Sequence, residues 1–155
     1  MPAKQRAFFR LEKSMTATDR DRDVLARTLW GEARGESLAG QIAVAWTIRN
    51  RVKDGKAKSW WGEGYAGVCL KPYQFSCWNR NDPNFAYLSG AKPIPFQEFA
   101  QAQIAADQVT SGKVPDPTDG ATHYYATTMP AAPAWASKAK QTLKLGHHLF
   151  FKDVP

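Results

Sequence analysis

The chain has 155 residues, enough for one domain with a buried core and too few for two ordinary ones. Its 43% apolar and 23% charged residues suit a soluble globular protein, and no apolar run approaches the ~18 residues that span a bilayer, which excludes an integral membrane protein of the helical kind. A formal net charge of +7 and a pI near 9.5 point to an anionic partner, whether nucleic acid, a membrane surface or an acidic polymer.

Residues 1–18 read as a basic N-terminal arm, with only Ala7, Phe8 and Phe9 as an apolar stretch, so neither a signal peptide nor an anchor is expected there. Thr16, Thr18 and Asp19 are N-cap candidates for a first helix, which Gly35 would end as C-cap. Ser37 can cap a second helix, LAGQIAVAWTIRNRV, whose stripe Gln41, Val44, Ala45, Ile48 and Val52 is broadened by Ile42 and Trp46. A helix apolar over so much of its circumference is expected at the centre, with Gln41 as a buried polar group.

From Lys53 to Gly67 the Gly, Lys and Trp content predicts an exposed connection, and VCLKPYQFSCWN after it, Val68 to Asn79, predicts small strands or a strand and turn. Pro95 and Gly112 bracket a third helix with Phe99, Ala102, Ala106 and Val109 on its inner face. VPDPTDG is a loop, ATHYYATT a short strand, and TLKLGHHLFF a hairpin around Gly146. There is no internal repeat, and the expected class is a mostly α single domain with a small β element.

One carboxylate stands out. Leu25, Thr28, Leu29 and Glu32 fall at i, i+3, i+4 and i+7 and share a helical face. If the leucines enter the core, Glu32 leaves the helix in the same direction and in its last turn, where desolvation and the helix dipole both disfavour the charged form. The plain alternative is a helix-end acid paired with Arg27 or Arg34. Glu36, beyond the helix end, reads as a loop carboxylate paired with an arginine or as a substrate contact. His123 reads equally as a structural histidine or as a group at a cleft. The aromatic segments WW, YQFSCWN and THYY could stack on bases or sugar rings.

Ser76 and Cys77 lack a GxSxG elbow, no Gly-rich phosphate cradle is present, and Cys69 and Cys77 have no metal-ligand spacing around them. No metal and no cofactor are therefore expected, and the two cysteines read as free thiols, with a Cys69–Cys77 disulfide in an oxidising compartment as the alternative.

The segments TLWGEARGESLAGQIAVAWTIRNRV, YQFSCWN, ATHYYA, PAWA and LGHHLFF, in this order over Asp23 to Phe151, together resemble the cell-wall hydrolase family of the spore cortex-lytic enzymes, and phage endolysins of that kind are similar in size. The resemblance implies a lysozyme-like fold related to goose-type lysozyme and lytic transglycosylases, with residues 19–155 as the catalytic domain and peptidoglycan glycan strands as substrate. It makes Glu32, the first Glu of GEARGE, the catalytic residue. It places Ser76 on the cleft, with Gln74 and Asn79 nearby, and puts aromatic residues at the THYY stretch. Where the spore enzymes resemble a Tyr-Tyr-Phe-Asn run, this chain has His123, Tyr124, Tyr125 and Ala126. Expected substrate-binding residues are thus Glu36, Gln74, Ser76, Asn79, His123, Tyr124 and Tyr125.

The chemistry that follows from the resemblance is protonation by Glu32 of the glycosidic oxygen between N-acetylmuramic acid and N-acetylglucosamine. An ordinary glycosidase needs a second carboxylate. Asp82 and Asp119 lie in predicted turns and Glu36 near a chain bend, so a lytic transglycosylase, in which the muramic acid's own 6-hydroxyl attacks, is the expectation. A hydrolysing muramidase is the alternative. From a different class, a non-catalytic wall-binding or nucleic-acid-binding module would also use basic charge and exposed aromatics. The expected setting is phage-type host lysis by a monomer held in the host cytoplasm until it is released to the wall, with contact to anionic lipopolysaccharide aided by the positive charge.

Overall fold

In a computed structural model, the described residues are 16–54, 61–72 and 74–155. The basic arm expected at 1–18 lies almost wholly outside them, as does much of the connection after Lys53.

Helix α1, Asp19–Ala33, begins as the sequence suggests. Thr18 accepts from the Asp21 N–H, and Asp21 accepts in return from the Thr18 N–H, which satisfies donors that the first turn would otherwise leave bare. Its end differs from expectation. The C-cap is Arg34 in right-handed conformation rather than Gly35, because Gln41 from the next helix reaches back with Nε2 to the Ala33 carbonyl at 3.1 Å. A carbonyl satisfied in this way has less need of a left-handed glycine cap.

Helix α2, Leu38–Lys53, starts at Ser37, whose side chain accepts from the Gly40 N–H. It is the central element, with Ala43, Val44, Ala45 and Ile48 fully buried and packed among α1, the later helices and the sheet. Among the described residues of Val68–Asn79 the expected strands do not form. Helix α3 runs from Gly64 to Leu70, followed by a 3-10 turn over Ser76–Trp78. Gly62 and Gly64 at positive φ start α3, and Tyr65, Val68 and Cys69 then fall at helical spacing and bury against α1 and α2. Helix α4, Phe85–Leu88, is a single turn that the sequence did not announce.

Helix α5, Phe96–Thr110, follows Pro95 and stops before Gly112, with Ala102, Ala106 and Val109 buried and Phe99 packed partly against the core. It lies across α1 and α2. The three strands are β1 (His123–Ala126), β2 (Lys140–Leu145) and β3 (His148–Lys152), antiparallel in the order β1-β3-β2, with His123 opposite Phe151 and Tyr124 opposite Phe150. The hairpin turns at Gly146, φ +56°. The sheet sits beside the end of α2, which brings β1 and the end of α1 to one region of the surface. Among the described residues no helix is long and apolar enough to cross a membrane.

Candidate active site

Leu25, Thr28 and Leu29 are fully buried, and Glu32 one turn on is half-buried. Neither sequence-suggested arginine pairs with it. Arg27 binds Asp23 at 2.9 Å, and Arg34 lies over the Trp30 ring at 4.3 Å.

Three segments bring polar or charged groups near enough to Glu32 to act on it electrically or to feel its charge. The first is the Ser76–Trp78 turn, which carries Cys77. The turn is held against α1 on two sides: Trp78 Nε1 donates to Thr28 Oγ1 at 2.9 Å, and the Cys77 side chain lies directly over Gly31. A Cβ at Gly31 would come within 2.7 Å of Cys77 Cβ and 2.9 Å of its Sγ. The second is the last turn of α2, which supplies Arg51. The third is β1, which supplies Tyr124.

Burial pushes the Glu32 pKa above the usual carboxylate range. The nearby polar groups of Cys77 offset part of this, the charge of Asp82 adds to it and that of Arg51 subtracts. Arg51 is only 7% exposed and stacks its guanidinium over Trp61 at 4.7 Å and Phe75 at 5.4 Å, with Nε donating to the Thr122 carbonyl at 2.6 Å. Burial lowers its pKa to about 10 against the fields of Tyr124, Cys69 and Glu32, so it stays charged at neutral pH. Burial and the neighbouring Glu32 push the Tyr124 phenol well above its ordinary range, which keeps it a proton-bearing donor. The Tyr124 ring stands edge-on to His148 at 5.0 Å.

The other residues expected at the site are distributed more widely. Ser76 is exposed at the head of the turn, and its carbonyl accepts from the Asn79 N–H at 2.9 Å. Asn79 lines an open groove of about 720 Å³ with Leu70, Pro72, Trp78, Arg80 and Asn81. Gln74 has a bracing position, its Nε2 donating to the carbonyls of Val68 (2.7 Å) and Trp61 (3.1 Å). Because side chains alternate along a strand, His123 and Tyr125 leave β1 on the face opposite Tyr124. His123 is held between Trp61 (5.3 Å) and Trp135 (5.0 Å), and Tyr125 stacks on Phe151 at 5.4 Å. His123, lowered to about 4 by burial and then by Arg51, is neutral at neutral pH, and it borders a smaller hollow of about 300 Å³ with Trp61, Asp54 and Lys152.

Glu36 is turned to the hairpin. Its Oε1 accepts from the His147 N–H at 2.8 Å and lies 3.0 Å from His148 Nδ1, and its Oε2 lies 3.1 Å from His147 Nδ1. The side chain is 7% exposed. These contacts clasp the α1–α2 junction to the β2–β3 turn.

Sequence reasoning did not single out Arg51 or Gly31. A basic residue in the last turn of a helix ordinarily reads as solvated, and its burial depends on rings that arrive from distant segments. Gly31 did leave a signal, since a glycine inside a helical pattern marks close approach by another segment. Cys69 and Cys77 are free and buried. Burial raises the Cys69 thiol to about 12 and that of Cys77 further, so neither is a thiolate nucleophile at neutral pH. Among the described residues no group of three or more His, Cys, Asp or Glu is placed to hold a metal ion.

Comparison with known proteins follows the same outline. The spore cortex-lytic enzyme of Bacillus subtilis is 28% identical over 151 residues, covering 96% of this chain and 44% of that protein. The spore cortex-lytic enzyme of Halalkalibacterium halodurans is 29% identical over 133 residues, 86% of this chain and 35% of that protein. The chain thus spans about a third to under half of the length of these curated relatives. Among solved structures, the catalytic domain of the germination-specific lytic transglycosylase SleB from Bacillus anthracis superposes with a TM-score of 0.67 at 27% identity, covering 88% of this chain and 97% of that one. The catalytic domain of the Bacillus cereus SleB protein gives 0.66 at 27% identity, covering 90% and 97%. The mostly helical, lysozyme-like architecture expected from the sequence is therefore the one observed. The family model described as cell wall hydrolase matches residues 35–151, from just after Glu32 to the end of the sheet. With most of its length under that model and its fold shared with the catalytic domains of SleB, the chain belongs to the cell wall hydrolase family.

Proposed function

We propose that this chain cleaves the β-1,4 bond between N-acetylmuramic acid and N-acetylglucosamine in peptidoglycan, with Glu32 as general acid and then general base, and that it does so as a lytic transglycosylase. The observation that carries this reading is the setting of Glu32. Burial shifts its carboxyl toward the protonated form, while the charge of a buried arginine favours the carboxylate once the proton has gone. That pair of properties suits a group that first gives a proton to the leaving oxygen and then takes one from the muramic acid 6-hydroxyl as it closes on C1. Arg51 acts on Glu32 through its charge and Tyr124 feels the charge of both, and the open groove lined by Trp78, Asn79 and Arg80 follows on from the Ser76–Trp78 turn and suits a polymer strand.

A hydrolysing muramidase is the second reading, and one observation favours it. Asp82 acts on Glu32 through its charge, so a second carboxylate is near enough to be felt and could activate a water. Glu36 does not offer this role, because both of its oxygens are engaged by the hairpin histidines. Replacing Glu32 by Gln tests the shared core of both readings. Lysis of purified walls should fall by several orders of magnitude while wall binding and the folded state persist. Full lytic activity in a normally folded Glu32→Gln protein would return the chain to the class of binding modules.

Phage-type host lysis is part of the same proposal, resting on the resemblance in size to phage endolysins of this kind. Chain expressed in a bacterial cytoplasm should leave growth intact until the inner membrane is permeabilised. Lysis without permeabilisation would contradict that setting.

A further inference from the structure

We propose that Arg80 is a specificity-determining residue: from the wall of the open groove its guanidinium takes a carboxylate carried by the glycan strand, the lactyl carboxylate of a bare muramic acid or one belonging to its stem peptide. This rests on the peptidoglycan reading above and adds which chemical group of the strand is held. The placement is geometric. Trp78 lines the groove and donates through Nε1 to Thr28 Oγ1 at 2.9 Å, and Thr28 lies one turn before Glu32 on the same face of α1, about 6 Å along the helix axis. A strand with its scissile bond at Glu32 that continues past Trp78 meets Asn79, Arg80 and Asn81.

Within that groove Arg80 stands apart chemically. Among the described lining residues it is the ionisable one, beside Leu70, Pro72, Trp78 and two asparagines. It is exposed, and among the described residues it has no ion pair, hydrogen bond or ring partner. Other arginines are engaged within the protein: Arg22 by Asp19, Arg27 by Asp23, Arg34 by the Trp30 ring, Arg49 by the Val109 carbonyl and Arg51 by the Thr122 carbonyl. Asp82, the nearest acid in sequence, accepts from the Asn84 N–H at 2.8 Å and forms no ion pair with Arg80. A guanidinium so placed presents a planar fork of donors that matches a carboxylate, whereas the amides on either side of it suit the uncharged acetamido groups of the sugars.

The test measures kcat and KM on solubilised glycan strands for wild type, Arg80→Gln, Arg80→Lys and Arg20→Gln. The substrates are strands with stem peptides, strands stripped by an amidase so that the lactyl carboxylate is bare, and each of these with its carboxylates converted to primary amides. Arg80→Gln should raise KM about three- to tenfold on the charged form that supplies the partner. Its kcat should stay within about twofold of wild type, because a contact away from the reacting atoms holds ground state and transition state alike. A rise on stripped strands assigns the lactyl carboxylate, and a rise confined to peptide-bearing strands assigns the stem. On the amidated substrates the two proteins should have equal KM. Arg80→Lys keeps the charge without the fork and should fall between them. Arg20→Gln removes the same charge from an exposed position on α1 and should leave KM unchanged. An unmoved KM for Arg80→Gln on both charged forms, an equal rise on the amidated ones, or a rise as large in Arg20→Gln overturns the proposal. Co-sedimentation with purified walls in a Glu32→Gln background keeps the two readings apart. Adding Arg80→Gln there should weaken binding to native walls and not to amidated ones, whereas lysis by Glu32→Gln itself would overturn the catalytic reading alone.

Discussion

Replacing Glu36 by Gln should destabilise the fold without touching the reacting groups, and the structure sets the size of the effect. The wild-type carboxylate is 7% exposed and faces the His147 N–H, His147 Nδ1 and His148 Nδ1 within 3.1 Å. Gln keeps one acceptor oxygen and turns an amide NH₂ toward groups that are themselves donors, so at least one contact to a charged acceptor is lost. A hydrogen bond to a charged group contributes about 1.5–3 kcal/mol. The His147 ring is 72% exposed, so its share is screened, and His148 Nδ1, though 3.0 Å from Oε1, makes no hydrogen bond to it, so the loss rests mainly on the His147 N–H. The expected cost is about 2–3 kcal/mol at pH 7, or about 5–10 °C in melting temperature for a domain of this size.

The pH dependence of that gap is a stricter check. Burial tends to raise the Glu36 pKa, but the His147 N–H and ring and the field of His148 outweigh it and hold the group below 4.5. A depressed acid contributes its stability above the unfolded pKa and loses it as pH falls through the folded value. Urea midpoints of wild type and Glu36→Gln should therefore differ steadily near neutrality and converge below pH 4.5. Equal midpoints at pH 7, or a gap that persists undiminished at strongly acid pH, would refute the clasp.

Gly146→Ala strikes the same clasp from the other side. Its φ of +56° and a Cβ that would stand 2.8 Å from Glu36 Oε2 should cost about 1–3 kcal/mol in chemical denaturation. Leu25→Ala removes a fully buried side chain between α1 and its neighbours, with an expected loss of about 2–5 kcal/mol by urea unfolding. Glu32→Gln should raise the melting temperature at pH 7 while abolishing lysis. Its raised pKa means that the ionised form costs stability above pH 4.5, and that cost disappears with the charge. His123, lowered to about 4, should show an NMR titration near pH 4 rather than 6.5, and the stability linked to it should fall between those two values as pH decreases.

Much of this architecture is written in local patterns. The stripe Leu25, Thr28, Leu29, Glu32 announced both α1 and the residue at its end, because helical periodicity is a property of neighbours. Thr18, Ser37, Pro95 and Gly146 likewise marked boundaries through their own backbone chemistry. Helix α3 was harder to read, since Gly64 and Gly67 weaken helix propensity and only packing against α1 and α2 offsets that. Arg51 was not singled out, and Glu36 was read as a loop carboxylate paired with an arginine or as a substrate contact. What changes them is long-range: Arg51 meets the Thr122 carbonyl 71 residues away and Glu36 meets His147 111 residues away. Strand alternation, not distance in sequence, parts Tyr124 from His123 and Tyr125, its neighbours in the THYY run.

The central claim is that Glu32 cleaves a glycan strand by internal attack. Mass spectrometry of muropeptides released from purified peptidoglycan, with Glu32→Gln as the blank, tests it most directly. The account predicts products with 1,6-anhydro-muramic ends, each lighter by one water than the hydrolysed equivalent, and none from the variant. Products carrying only reducing ends would contradict the transglycosylase mechanism.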